Sequence, residues 1–143
     1  MKHARITYLL AGAFSVMLVA SSSTFADPSA QAMIAADNAH SKRPDVTEAR
    51  RLYQAGATFV DVRSDAEWQA GHVKGALHLP VKELSETASA KLADKNQAIV
   101  TYCAKGSRAA KGAAVLRQLG YRNVTAMSGG FPDWQKANQP SVR

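Results

Sequence analysis

The chain has 143 residues, of which 46% are hydrophobic and 20% are charged, and its 18 basic and 11 acidic residues give a net charge of +7. This length accommodates one ordinary globular domain and excludes a second core of useful size. The mildly basic balance favours small anionic ligands, whereas no stripe of basic and aromatic residues indicates a nucleic-acid partner.

The first 26 residues have the layout of a secretory signal peptide. Met1–Arg5 is basic, Ile6–Ala20 is apolar, and Thr24 and Ala26 stand at the minus-three and minus-one positions of a cleavage site. The apolar run is shorter than the ~20 residues that span a bilayer, so we expect cleavage and no stable membrane insertion. The remaining 117 residues carry 16 basic and 11 acidic side chains, a net charge of +5. We therefore predict an exported, periplasmic protein.

A flexible or loosely docked leader is predicted over residues 27–44, which are rich in Ala, Ser, Asp and Asn and show no clear periodicity. The single folded domain is predicted over residues 45–143. It opens with a short amphipathic helix, because Asp45 and Glu48 form a capping-box pattern and Gly56 follows as a stop.

Strands and helices then alternate along the domain. "AIVTYC" at Ala98–Cys103 is a continuous apolar run, typical of a strand that is buried on both faces of a parallel sheet. The alternation predicts an α/β fold with helices on both faces of the sheet. The other predicted elements are strands at Thr58–Val62 and Asn123–Met127, helices at Asp65–Gly71, Leu84–Ala93 and Arg108–Leu119, and a short final helix near Pro132.

Cysteine usage is unusual for an exported chain, because Cys103 is the only cysteine. Exported domains usually carry cysteines in pairs, and a single thiol is reactive, intermolecular or buried. One cysteine excludes an internal disulfide and a zinc site built on paired cysteines. The four histidines show no metal-ligand spacing, so we expect neither a metal nor a cofactor; they are His3, His40, His72 and His78.

The position of Cys103 favours a functional thiol. Ligands of open α/β sheets bind beyond the carboxyl ends of the strands, and Cys103 ends a predicted strand immediately before a helix. The small, polar segment Ala104–Ser107 can turn its N–H groups inward, while the helix N-terminus, Lys105 and Arg108 add positive charge. These features favour a thiolate and a bound anion. The alternative is a cysteine that closes the strand as a small buried hydrophobe.

Three blocks of the sequence resemble, in order and spacing, the signatures of the rhodanese-like sulfurtransferases. They are "FVDVRSDAEWQAGHVKGALHLP" at Phe59–Pro80, "IVTYCAKGSRAAKGAAVLRQLGY" at Ile99–Tyr121 and "NVTAMSGGFPDW" at Asn123–Trp134. The resemblance covers roughly Asp45–Asn138, and the signal peptide points to the small single-domain periplasmic members. It implies a three-layer α/β sandwich with a central, mostly parallel five-stranded sheet flanked by helices.

The resemblance also implies a ping-pong sulfur transfer through Cys103. The thiol would take the sulfane sulfur of thiosulfate, release sulfite and become a persulfide, which cyanide or a thiol acceptor would then discharge. Lys105 and Arg108 would attract the sulfonate end of thiosulfate. The backbone N–H groups that would hold the terminal sulfur belong to Ala104, Lys105, Gly106, Ser107 and Arg108.

A second set of residues matches the "D-V-R" and "G-H" block of the family. Asp61, Arg63, Glu67 and His72 occupy these positions. Acidic and basic side chains near a strand end more often tie loops together than perform chemistry. We therefore expect Asp61 and Arg63 to brace the rim of the site, and His72 to be structural.

Two other function classes remain open. Cysteine phosphatases and arsenate reductases of similar fold have one residue more between the cysteine and the arginine than the four that separate Cys103 from Arg108. The shorter loop favours a sulfur atom over a tetrahedral phosphate. A noncatalytic binding module or a persulfide carrier for an exported partner is the other alternative, although inactive members typically lack the cysteine. We expect a monomer or a weak oligomer.

Overall fold

The computed structural model describes residues 28–39 and 42–143, so the predicted signal peptide lies outside the described residues. From Val46 onward helices and strands alternate, as the sequence predicts, except that two short strands follow each other at His72–Val73 and Leu77–His78. The elements are α1 Pro28–Ala39, α2 Val46–Gln54, β1 Thr58–Asp61, α3 Asp65–Ala70, β2 His72–Val73, β3 Leu77–His78, α4 Leu84–Lys91, β4 Ala98–Tyr102, α5 Ser107–Gln118, β5 Asn123–Ala126, α6 Phe131–Lys136 and β6 Ser141–Val142.

The central sheet confirms the α/β class but has four strands in the described part of the chain, not the five expected. Its strands are all parallel and run in the order β3-β1-β4-β5. The short strand β2 instead pairs antiparallel with β6, with His72 opposite Val142. The Val73 N–H donates to the Tyr102 hydroxyl at 3.0 Å rather than to a strand carbonyl. The strand β2 therefore lies outside the central sheet, and its link to β4 runs through the side chain of Tyr102.

Helices cover both faces of this sheet, and β4 shows the alternation most clearly. All five residues of β4 are buried. Ile99 packs with the helices α4 and α5, whereas Val100 and Tyr102 pack in the opposite cluster with α1, α2 and α6. The buried strand predicted from the apolar run is confirmed. Cys103 follows β4 directly and belongs to the α4 and α5 side of the core.

The N-terminal segment differs from the predicted flexible leader. Pro28–Ala39 forms the helix α1, which packs against β4 and β5. Ala30 and Ile34, one helical turn apart, are fully buried. The sequence does not indicate this buried face, because alanines also occupy the exposed side of the helix, for example at Ala35. The two sides therefore differ little in hydrophobicity, and no amphipathic pattern results. By contrast, the capping box at Asp45 and Glu48 is confirmed at the start of α2.

Among residues 28–39 and 42–143, no helix has the length and apolar character needed to cross a membrane. The same residues contain no cluster of three or more His, Cys, Asp or Glu side chains with the geometry to hold a metal ion.

Candidate active site

The Cys103 sulfur lies at the start of α5, where backbone N–H groups converge on it. Sγ accepts the N–H of Gly106 at 3.0 Å and the N–H of Ala109 at 3.3 Å. The residue is only 1% exposed. Two inward N–H groups at a helix N-terminus form a cradle for negative charge on sulfur. The sequence predicted a cradle from Ala104–Arg108 and missed Ala109, which the first turn of the helix brings back to the sulfur.

Gly106 gives the loop its shape. Its φ of +94° lies in the left-handed region, and a Cβ there would stand 2.5 Å from the Ser128 carbonyl oxygen. The same Cβ would also stand 3.0 Å from Nη2 of Arg43, which donates to the Gly106 carbonyl at 2.7 Å. Two contacts therefore hold the loop in place: the Ser128 carbonyl, which follows β5, and the Arg43 side chain, which belongs to the predicted leader.

A second glycine, Gly130, lets the segment before α6 approach the loop. A Cβ on Gly130 would overlap the Ala104 carbonyl oxygen. The next residue, Phe131, donates its N–H to the Cys103 carbonyl at 2.8 Å. Gly130 is not among the predicted site residues, although the "SGG" of the third block is the signal that could have found it.

Arg108 lies beside the loop but is paired with Glu67. Nη1 and Nη2 of Arg108 each donate to one carboxylate oxygen of Glu67 at 2.8 Å, a bidentate ion pair between α5 and α3. The hydrogen bond from Arg108 lowers the pKa of Glu67 to about 2, and Glu67 raises the pKa of Arg108. Both terminal nitrogens of Arg108 thus bind a carboxylate, so the side chain ties α5 to α3, and its contact with the substrate stays a prediction.

Asp61 and Arg63 form a buried ion pair at the carboxyl end of β1. Nη2 of Arg63 donates to Oδ2 of Asp61 at 2.6 Å and to the Gly71 carbonyl at 2.6 Å. Burial lowers the pKa of Arg63, but the hydrogen bond and charge of Asp61 outweigh this and the net shift is upward. The guanidinium also lies 4.5 Å from the centre of the Phe131 ring. The pair thus links β1 to the end of α3 and to α6.

The open side of the site carries the remaining loop side chains. Lys105 and Ser107 are exposed, and Ala104 is half-buried. A cavity of about 230 Å³ lies next to Arg108, on the side of the loop between β1 and α4, and Arg63, Val81 and Lys82 contribute to its walls. Within residues 104–108, Lys105 therefore supplies the formal positive charge that no carboxylate of the described chain neutralises.

His72 takes part in an aromatic stack on α3. Its ring lies 3.4 Å from the Trp68 ring, which also stacks on His78 at 4.8 Å. Nδ1 of His72 lies 3.0 Å from the Trp68 carbonyl oxygen. This placement agrees with the structural role expected of His72.

Comparison with known proteins identifies a family with this chain's sequence pattern. The sequence profile of the rhodanese-like domain matches residues 45–137. The chain belongs to the rhodanese-like family. This match begins after α1, so the helix α1 is an addition to the part of the rhodanese-like domain that the profile describes.

Individual relatives of this rhodanese-like chain agree with the match. It is 33% identical over 79 residues to the thiosulfate sulfurtransferase PspE of Escherichia coli, covering 55% of this chain and 75% of PspE. It is 34% identical over 93 residues to the thiosulfate sulfurtransferase GlpE of Haemophilus influenzae, covering 65% and 87%. A solved rhodanese with anions from E. coli is 31% identical, with a TM-score of 0.54 over 62% of this chain and 99% of that chain. The human single-domain sulfurtransferase is 30% identical, with a TM-score of 0.58 over 66% and 95%.

Proposed function

We propose that this protein is a thiosulfate sulfurtransferase that works through a persulfide on Cys103. The observation that carries the proposal is the pair of N–H groups, from Gly106 and Ala109, that point at Sγ. Backbone donors fixed by a helix start stabilise negative charge on sulfur without reorganising. The relatives named thiosulfate sulfurtransferase support the same reaction class.

In the first half-reaction, the Cys103 thiolate attacks the outer sulfur of thiosulfate. A new S–S bond forms to Sγ, and the S–S bond of thiosulfate breaks with its electron pair leaving on sulfite. The product is a Cys103 persulfide whose terminal sulfur carries the negative charge. The exposed Lys105 attracts the dianionic donor, while Arg108, paired with Glu67, positions the loop.

In the second half-reaction, a thiophilic acceptor attacks the terminal sulfur of the persulfide. With cyanide, a C–S bond forms, the S–S bond breaks, and its electron pair returns to Sγ as the thiolate. Thiocyanate leaves and the enzyme is regenerated, so no external oxidant or reductant is needed. A cellular thiol acting in the same way would become a persulfide.

The test is the intact mass of the purified protein after incubation with thiosulfate, and again after cyanide is added. We expect a gain of about 32 Da that cyanide removes with release of thiocyanate. The Cys103→Ser variant, matched in fold by its circular dichroism spectrum, should show neither change. If reduced protein with a titratable thiol gains no mass, thiosulfate is not the donor, and a persulfide carrier served by another protein takes its place.

We also propose that the protein is exported and processed after Ala26. The basic start, apolar run and small residues before Asp27 support this proposal. Expression of the full chain in a Gram-negative host should yield periplasmic protein with the mass of residues 27–143. Recovery of the full-length chain in the membrane fraction would instead indicate an uncleaved anchor.

A further inference from the structure

A basic cavity lies on the opposite side of α5 from the Glu67 pair, at the outer edge of β5. Its volume is about 460 Å³, and none of its walls is formed by Cys103 or by residues 104–108. Within the described part of the chain, the lining includes no Asp or Glu. Its polar members are Asn38, Lys42, Arg43, Arg117, Arg122 and Thr125.

Two arginines of this cavity use only some of their donors on the protein. Nη2 of Arg117 donates to the Val124 carbonyl at 2.9 Å and to Oδ1 of Asn38 at 3.2 Å. Nε and Nη2 of Arg43 donate to the carbonyls of Ala126 and Met127. Nη2 of Arg43 also reaches the Gly106 carbonyl. Nη1 of both side chains has no acceptor among residues 28–39 and 42–143. A guanidinium has five N–H donors, so each arginine retains donors for a ligand.

Three of the four basic residues at this cavity, Arg43, Arg117 and Arg122, form no ion pair within residues 28–39 and 42–143. Burial lowers the pKa of Arg117, and no neighbouring carboxylate opposes this shift. Of the four basic residues, Lys42 is the one that forms an ion pair within the described residues, with Glu48. In addition, the buried hydroxyl of Thr125 has no hydrogen-bond partner in the described part of the chain. Buried polar groups without partners are uncommon and call for a ligand or a water molecule.

We propose that this cavity binds a small ligand through a phosphate- or sulfate-type oxyanion, held by Arg43, Arg117 and Arg122. Guanidinium groups match the geometry of such oxyanions and form charge-assisted hydrogen bonds to them. The volume is within the range of small-molecule sites. This site is separate from the Cys103 cradle, and its occupation does not depend on sulfur transfer.

The experiment is an amide NMR titration of the purified protein with inorganic phosphate, with chloride used to hold the ionic strength constant. We expect saturable shifts of the amides of Ala110, Ala113 and Thr125. Substitution of the exposed Arg122 by Gln should weaken this binding by at least about three-fold, the loss of one charged hydrogen bond. The control is Arg50→Gln, which removes the same charge from the exposed face of α2 and should leave the affinity unchanged.

Shifts confined to residues 103–109, linear rather than saturable shifts, or equal affinity in the Arg122→Gln and unsubstituted proteins would overturn the proposal. A second titration with phenyl phosphate distinguishes the sources of the oxyanion. If phenyl phosphate binds more tightly than inorganic phosphate and shifts the same amides, the ligand of this cavity is an organic phosphate monoester. Binding of inorganic phosphate alone identifies the free ion.

Discussion

At the scale of single residues, Gly106 controls the geometry of the sulfur cradle. It combines a left-handed backbone with close contact to the Ser128 carbonyl, and its own N–H donates to Cys103. A side chain at this position therefore disturbs both the backbone and the donor. The two effects can be separated because Gly120 has almost the same φ, +93°, with open space around it.

We predict that Gly106→Ala destabilises the protein by at least about 3 kcal/mol, whereas Gly120→Ala costs about 1 kcal/mol. The first substitution adds a steric overlap to the strain of a left-handed residue, and the second adds the strain alone. Urea unfolding of both variants measures the difference. Equal losses would mean that the loop moves away from Ser128 at no cost.

Lys105 offers a second test at the residue scale. Its exposed ammonium is expected to act on the dianionic donor, so Lys105→Ala should lower kcat/KM for thiosulfate about five- to ten-fold, with less effect on the step with cyanide. Lys111→Ala is the control, since it removes the same charge from an exposed position farther along α5. Steady-state kinetics with each substrate varied in turn makes the comparison. Identical kinetics in the two variants would exclude a specific role of Lys105 in binding thiosulfate.

At the scale of elements, α1 and the segment after it are part of the fold. They protect the outer edge of β5: Asn38 donates to the Val124 carbonyl at 3.1 Å, and Arg43 donates to the Ala126 carbonyl at 3.2 Å. An uncovered sheet edge can pair with another chain. Arg43 also donates to the Gly106 carbonyl, so the segment before the family domain contacts the loop that follows Cys103.

We predict that Ile34→Ala lowers the free energy of unfolding by about 3 kcal/mol, as expected for a fully buried side chain. The neighbouring Met33 is half-buried, so Met33→Ala should cost clearly less. Denaturant unfolding of the two variants provides the measurement. A loss of only about 0.5 kcal/mol or less for Ile34→Ala, which is the size of a surface effect, would restore the interpretation of a loosely docked leader.

At the scale of the whole molecule, the Glu67–Arg108 pair makes stability depend on pH. The hydrogen bond from Arg108 places the pKa of Glu67 at about 2 in the folded protein, below its ordinary value of 4.5. A carboxyl that is more acidic when folded stabilises the fold above its unfolded pKa, and this contribution is lost as the pH falls towards 2. The pair joins α3 to α5 across the rim of the site.

We predict that Glu67→Gln lowers stability by about 1 kcal/mol at pH 6, as for a well-aligned but partly exposed ion pair. The difference from the unsubstituted protein should shrink at pH 3, because part of the stabilisation is already lost there. Chemical unfolding at the two pH values tests this. In an Arg108→Gln background the same substitution should lose most of its pH dependence, and the remainder belongs to the hydrogen bonds that the N–H and hydroxyl of Ser64 donate to Glu67. An undiminished pH dependence in that background would contradict the assignment to Arg108.

The sequence by itself determined the local and periodic features of this protein. The buried run of β4, the capping box of α2, the α/β class and the placement of Cys103 between a strand and a helix follow from residue patterns that act over a few positions. The family resemblance rests on the same short blocks. They can be predicted without knowing which distant residues contact each other.

The tertiary structure alone decided features that depend on contacts between distant residues. The alanine-rich pattern of α1 carries no periodic signal, and its helix is stabilised by burial against β4 and β5. The pairing of β2 with β6 left the sheet with four strands in the described chain. The bidentate bond of Arg108 to Glu67 spans 41 positions of sequence. Such partners depend on how elements pack, and no local pattern records that packing.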